Sequence, residues 1–228
     1  MSKDNNYFQY FTFGLDGWID KTILKKRKEM LRWFLEEMQM NSSDSILDIG
    51  VSDEDHPASN LLEKNYPYTE NLTALGIDNL HHLEKIYSGL TYIKGDGRSL
   101  PFDDRSFDFV YSHAVLEHVG SRHSQLTFIA EAFRVARKGV FLTTPNRMHP
   151  MEFHTGLPLL HYLPHSWYRA LYRLLGKTFY AREENLNLLT EKELLELGYK
   201  VAEKQGEIKV EHTKFLFFNA NLMLFIKK

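Results

Sequence analysis

A doubly wound α/β fold built on a mostly parallel sheet is predicted by three observations. Five short runs, Ser45 to Gly50, Leu72 to Ile77, Leu90 to Lys94, Phe107 to Ser112 and Val140 to Thr143, are bounded by polar or glycine-containing turns. Helical or polar segments separate successive runs, and connections of that length require parallel strands with right-handed crossovers, which place helices on both faces. Acidic residues stand at the carboxyl ends of the first three runs, at the edge where open parallel sheets bind ligands.

Each element has its own signal. Ile19 to Met38 places Ile23, Leu24, Met30, Leu31, Phe34, Leu35 and Met38 near helical spacing, with Lys25, Lys26, Arg27 and Lys28 read as a solvated face. Asn41 to Asp44 is a polar loop, and a helix from about Ala58 to Lys64 closes before Pro67. A further helix, Gln125 to Ala136, carries Phe128, Ile129, Ala132, Phe133 and Val135. Beyond Pro145, read as a strand terminator, Met148 to Tyr180 is rich in aromatics and histidine and reads as an insertion covering the site. Thr190-Glu191-Lys192-Glu193 restarts a helix with a capping-box pattern. The end returns to strands, finishing in Leu222 to Ile226, and Phe215 to Phe218 fits either a hairpin turn or a loop before the last strand.

The 228 residues fit one elaborated domain. Its parts are an amino-terminal lid and helix (1–40), a ligand-binding core (41–147), a helical insertion (148–185) and a carboxyl-terminal helix with strands (186–228). Hydrophobic residues at 43% and charged residues at 25% exclude disorder, and the absence of cysteine excludes thiolate metal sites and a cysteine nucleophile. A net charge of −2 makes nucleic acid an unexpected partner. The amino terminus, MSKDNNYFQYF, has no basic patch followed by an apolar run, so a cytoplasmic protein is expected.

The ends of the first four runs read Asp48-Ile49-Gly50, Gly76-Ile77-Asp78-Asn79, Gly95-Asp96-Gly97 and Ser112-His113. With strands ~4.8 Å apart they would line a ledge about 14 Å long, suited to an extended nucleoside with a polar tail. At these residues the chain resembles the class I S-adenosylmethionine-dependent methyltransferases, particularly the type-11 group. The resemblance rests on Ile46 to Gly50, on Gly76-Ile77-Asp78, on Gly95-Asp96-Gly97 through Leu100-Pro101-Phe102 to Ser106-Phe107-Asp108, and on Ser112 to Val119 with Thr144-Pro145-Asn146-Arg147. It covers about 100 residues in the family's order. It implies a seven-stranded, Rossmann-like methyltransferase fold with S-adenosyl-L-methionine as cofactor. Asp48 and the Gly50 turn would hold the methionine end, Asp78 the ribose, and Asp96 and Gly97 the adenine, with Val51 and Asn79 also counted among the cofactor-binding residues. His113 would meet the ammonium, through its backbone carbonyl in many members of the family.

The family's glycine loop continues Gly-x-Gly-x-Gly, whereas this chain continues Gly50-Val51-Ser52-Asp53-Glu54. A longer loop with Asp53, Glu54 or Asp55 facing the ammonium would replace it. The same carboxylates repel a pyrophosphate and argue against a nicotinamide dinucleotide. Asp103, Asp104 and Ser106 read as a solvated turn, and Glu117 as a partner for Arg122 or Arg134.

His118 is the candidate catalytic residue, because an imidazole titrating near neutrality can take a proton from an acceptor hydroxyl; the competing reading is a hydrogen-bonding brace. Glu117-His118 is also similar to part of the Glu-x-x-Glu-His by which some methyltransferases hold a divalent ion, but Ala114 occupies the first glutamate position. One carboxylate and one imidazole do not complete an octahedral site, with His149 and His154 as further candidates, and no metal is assigned. The acceptor is expected to be a small or lipid-linked molecule met by Tyr7 to Phe13 and by the insertion. Within it, residues 157–177 have a basic, aromatic, amphipathic character that reads first as cover over the sheet, with a peripheral membrane contact as the alternative. The alternative to an enzyme is a non-catalytic nucleotide- or partner-binding module on the same fold.

Overall fold

The computed structural model describes residues 16–203 and 205–228. The aromatic segment Tyr7 to Phe13, expected as a lid, lies outside them. The strands are β1 (Ile46–Ile49), β2 (Leu72–Gly76), β3 (Thr91–Lys94), β4 (Phe107–His113), β5 (Ala136–Pro145), β6 (Met151–Glu152), β7 (Leu157–Pro158), β8 (Glu207–Phe215) and β9 (Phe218–Lys227). Seven of them form one sheet in the order β3-β2-β1-β4-β5-β9-β8, while β6 and β7 pair as a separate short hairpin. β1 to β5 run parallel, and β9 is antiparallel to both β5 and β8. The helices are α1 (Asp16–Glu37), α2 (Leu61–Asn65), α3 (Leu83–Ile86), α4 (Arg122–Val135), α5 (His165–Leu174) and α6 (Glu191–Ala202).

The two-residue period of a strand sorts the core into two layers. Leu47, Ile49, Val110, Leu142, Leu222, Leu224 and Ile226 pack with Phe128, Ile129 and Ala132 of α4 and Leu194 and Leu197 of α6. Ile46, Phe109, Tyr111, Phe141, Met223 and Phe225 pack on the other face with Met30, Leu31, Phe34 and Met38 of α1 and Leu61 and Leu62 of α2. Asp48 follows Ile46 by two residues and therefore turns to the α1–α2 face, as does His113 after Tyr111.

Several boundaries differ from the sequence expectation for local reasons. α4 begins at Arg122 because Ser121 accepts from the Ser124 amide, a cap that apolar periodicity does not register. β5 starts earlier than its apolar run: its polar opening is held by Arg137 on Asp108 (3.2 Å) and by Lys138 on Asp44. α2 starts late because Asn60 takes a left-handed turn (φ 47°) immediately before it. Phe215 to Phe218 is a hairpin, turning at Leu216 with φ 54°. Arg27 leaves the solvated face expected of the basic run, its Nη1 donating to the Ala58 carbonyl at 2.7 Å.

The insertion opens with the β6–β7 hairpin before α5, and its Tyr168, Tyr172, Tyr180 and Ala181 form a third apolar cluster with Leu186 and Leu188 just beyond it. Among the described residues, no helix is long and apolar enough to cross a membrane.

Phe34 is fully buried, with its ring 5.1 Å from Tyr111, 5.3 Å from Phe141 and 6.3 Å from Phe109. Phe34→Ala is expected to cost about 3–5 kcal/mol. In a thermal melt that is a midpoint lower by roughly 10 °C.

Candidate functional site

The chain leaves β1 toward β2 on one side of the sheet and β4 toward β5 on the other, so a crevice opens at their carboxyl ends. Gly50 makes the turn out of β1 with φ 111°, a conformation that side chains resist, while its amide donates to the Leu75 carbonyl at 2.8 Å. A Cβ there would lie 2.2 Å from Cγ2 of Val115, on the turn after β4. Ser112 Oγ donates to the Ile49 carbonyl at 2.7 Å and ties the same two tips. Val51 is buried beyond Gly50, and Asn60 clasps Ser52 through both backbone groups (3.0 and 2.8 Å). This side-chain clasp shapes the loop in place of further glycines. Of the loop carboxylates considered for an ammonium, Asp53 pairs with His82 at 2.6 Å and Glu54 accepts from Ser59 Oγ at 3.2 Å.

Beneath the turn lies a pair of buried acids. Burial and the neighbouring Glu63 carboxyl push Asp48 well above the usual carboxylate range, and burial raises Glu63 as well. Neither oxygen of Glu63 has another hydrogen-bond partner, so nothing outside the pair offsets the cost of its charge. His113 is neutral for a related reason: burial, reinforced by the positive charge of Arg27, pushes its pKa well down. Thr143 Oγ1 sits 2.8 Å from its Nδ1 and accepts from the Ala114 amide, so the ring is tied to the β5 strand beside it.

Asp78 and Asn79 follow β2 on an exposed loop held from below by Tyr92, whose hydroxyl lies 3.1 Å from the Gly76 carbonyl and 2.5 Å from that of Asp78. Asp96, past β3, is engaged by Arg98 through Nη2 (2.6 Å), Nε (3.0 Å) and the backbone amide (2.9 Å), and Arg98 holds its carboxyl below the usual range. The pair is nearly half exposed. Such contacts are worth roughly 0.2–1 kcal/mol, weak enough for a ligand donor to share or displace. Gly97 is buried, and a Cβ on it would meet Phe128 at 2.4 Å and Ile49 at 2.8 Å.

On the β4 side, Ala114 adopts φ 56°, an uncommon conformation for a residue with a Cβ. Glu117 is wholly buried rather than paired with arginine. Thr144 Oγ1 donates to its Oε2 at 3.0 Å, whereas Arg122 pairs with Glu193 and Arg134 with Glu131 and Asp104. The short turn Leu116–His118 points the Glu117 side chain inward, an outcome its sequence neighbours do not disclose. His118 Nδ1 lies 2.6 Å from the Asn185 carbonyl, and burial lowers its pKa against the opposing pull of Glu117. The insertion brings His154 against it, ring centroids 4.9 Å apart, with Glu152 Oε1 2.7 Å from His154 Nδ1. Burial opposes the proton on His154, but Glu152 outweighs it and raises the pKa. His149 instead turns its Nδ1 to the Met151 backbone. Sequence reading missed Arg27, Glu63, Tyr92 and Glu152, each of which meets the site from a distant element.

Residues 64–144 match the type-11 family model, described as a methyltransferase domain. The match begins just past the loop that lacks the extra glycines. No curated protein matches. Solved structures with the same fold include an S-adenosylmethionine-dependent methyltransferase of Methanosarcina mazei (21% identity, 83% of this chain and 94% of that one, TM-score 0.50). A second is magnesium protoporphyrin IX methyltransferase from Synechocystis with bound SAH (11%, 97% and 90%, TM-score 0.56). A third is an N-methyltransferase from Bradyrhizobium japonicum (12%, 90% and 94%, TM-score 0.54).

The Asp48–Glu63 pair fixes a pH dependence. Its pKa values are raised in the folded state, so its contribution to stability is present below the unfolded values near pH ~4 and is lost as pH rises through the folded ones. Glu63→Gln removes the second carboxyl. Thermal melts of the variant are expected to show a gain on the order of 1 kcal/mol at pH 8 that shrinks toward pH 4.

Proposed function

We propose that this S-adenosylmethionine-dependent methyltransferase, with its type-11 domain at residues 64–144, methylates a small or lipid-linked acceptor at the mouth of the β1–β4 crevice. The observation that carries the reading is the convergence on one sheet edge of a left-handed Gly50 turn, an exposed acid at Asp78 and the Asp96–Gly97 tip. These groups fit the cofactor. Asp78 is open to accept from two adjacent ribose hydroxyls, Asp96 from the adenine amino group, and the close packing at Gly97 brings backbone near the ring. Gly50 and Val51 present backbone to the methionine end.

The cofactor supplies a methyl group on a sulfonium, whose departure leaves a neutral thioether, so alignment is the main demand on the protein. Positioning of that kind can contribute ~7–11 kcal/mol. Asp48 lies beneath the methionine end, and a cation arriving there favours its ionised form. His113 stays uncharged and adds no repulsion. His118, on the acceptor side, is the side chain assigned to the acceptor's reacting group.

Calorimetry with S-adenosylmethionine and S-adenosylhomocysteine tests the assignment. Asp78→Ala removes two charge-assisted hydrogen bonds and is expected to weaken both ligands by about 100-fold with an unchanged melt. Unchanged affinity would remove Asp78 from the site.

The lipid-linked form of the acceptor is supported by apolar surface at the same edge. Trp167 and Leu174 on the outer side of α5 are 65% and 81% exposed, and Phe217 at the β8–β9 turn is 92% exposed. Arg173 precedes Leu174 in the chain and Lys214 lies three residues before Phe217, so each of these two apolar positions has a basic neighbour in sequence, the combination that lies on an anionic bilayer. Flotation with phosphatidylserine vesicles is expected to carry the protein and to fail for Trp167→Asp with Phe217→Asp. No flotation of the unaltered chain would restrict the acceptor to soluble small molecules.

A further inference from the structure

We propose that Glu117, His118 and His154 form a mononuclear site for a first-row divalent cation such as zinc, cobalt or manganese. One ligand atom from each residue lies within 4.8 Å of the other two, and Glu117 Oε1 is 3.8 Å from His118 Nε2. Metal–ligand bonds of ~2.0–2.2 Å set tetrahedral neighbours roughly 3.3 Å apart, so side-chain rotations of about 1 Å close the triangle.

Two independent features point to a cation. Glu117 is wholly buried, and its Oε1, unlike the Oε2 held by Thr144, has no hydrogen-bond donor. A carboxylate oxygen in that state is costly, and a cation satisfies it. Each imidazole is also backed through Nδ1, His118 by the Asn185 carbonyl and His154 by Glu152. Such a partner fixes the tautomer and leaves Nε2 as the coordinating nitrogen. Glu152 is itself fixed by the amides of His154 and Thr155 and by Thr155 Oγ1. The His154–Glu152 ion pair alone does not account for the cluster, because it leaves Glu117 Oε1 unsatisfied. Two nitrogens and one oxygen suit a borderline transition ion, whereas magnesium prefers an all-oxygen shell.

Three protein ligands leave coordination positions open. The role that follows rests on the methyltransferase reading and makes His118 a ligand of the ion rather than a proton acceptor. An acceptor hydroxyl binds the ion through oxygen and loses its proton to solvent. An oxygen lone pair then forms the bond to the methyl carbon as the carbon–sulfur bond breaks, its electron pair staying on sulfur. The ion keeps its oxidation state.

The test is cobalt titration of the full chain after chelator treatment and dialysis. One ion per chain with visible d–d absorption is expected. Glu152→Gln, which removes only the carboxylate behind His154, is expected to weaken binding by about 10–100-fold, and Glu117→Gln or His154→Ala by more. Glu117→Gln is isosteric and decides the matter should His154→Ala not fold. No cobalt bound by the unaltered chain, or equal binding by Glu117→Gln, overturns the site. S-adenosylmethionine calorimetry on the same samples reads the cofactor site separately, so the two proposals fail independently.

Discussion

Two loops meeting at the carboxyl tips of β1 and β4 set the geometry on which the rest depends. Gly50 can turn there only because it has no side chain, and Val115 fills the space a Cβ would need. The Ser112 hydroxyl adds a bond across the same junction. With the tips locked, the crevice has fixed walls, and Ala114 is held in a conformation that local preference opposes. The sheet's hydrogen bonds set the spacing of the acidic loops; this junction sets where they point.

Alternation along the strands then divides the chemistry between faces. Asp48, Tyr111 and His113 turn to the α1–α2 layer, where burial governs protonation, joined by Glu63 at Asp48, by the two carboxyls at Tyr111 and by Arg27 at His113. Asp78 and Asp96 sit on loops beyond the sheet, the first exposed and the second paired with Arg98. Acids at similar positions in the sequence thus shift in opposite directions: Asp48 is driven up by burial and by another carboxyl, and Asp96 down by an adjacent guanidinium. Burial and the nearest charge separate them.

The parallel core was legible because its runs are short, apolar and punctuated by turn residues, and because the ends of the first four fall in a recognisable order. Polar strand residues escaped that reading. Arg137 and Lys138 open β5 because Asp108 and Asp44 receive them, which apolar patterning cannot register. Asp48, Gly50, Asp78 and Asp96 stood out individually, since strand ends are identifiable without tertiary information. Their companions did not: Glu63 looks like one more charge on a short helix, and Arg27 like part of a solvated run. Glu117 was misread for the opposite reason, since nearby arginines suggest a local pair and only the turn at Leu116–His118 sends it inside.

The insertion carries a consequence of its own. Its tyrosine and leucine cluster is separate from both layers of the sheet, and Arg147 fastens it by bonds to the carbonyls of His161 and Leu163. A segment with a private nucleus and backbone-directed fastenings makes few demands on the identity of the residues it faces. Its outward positions can therefore drift, or be replaced wholesale, while the strands below keep their register, which gives this scaffold a natural place to evolve new selectivity.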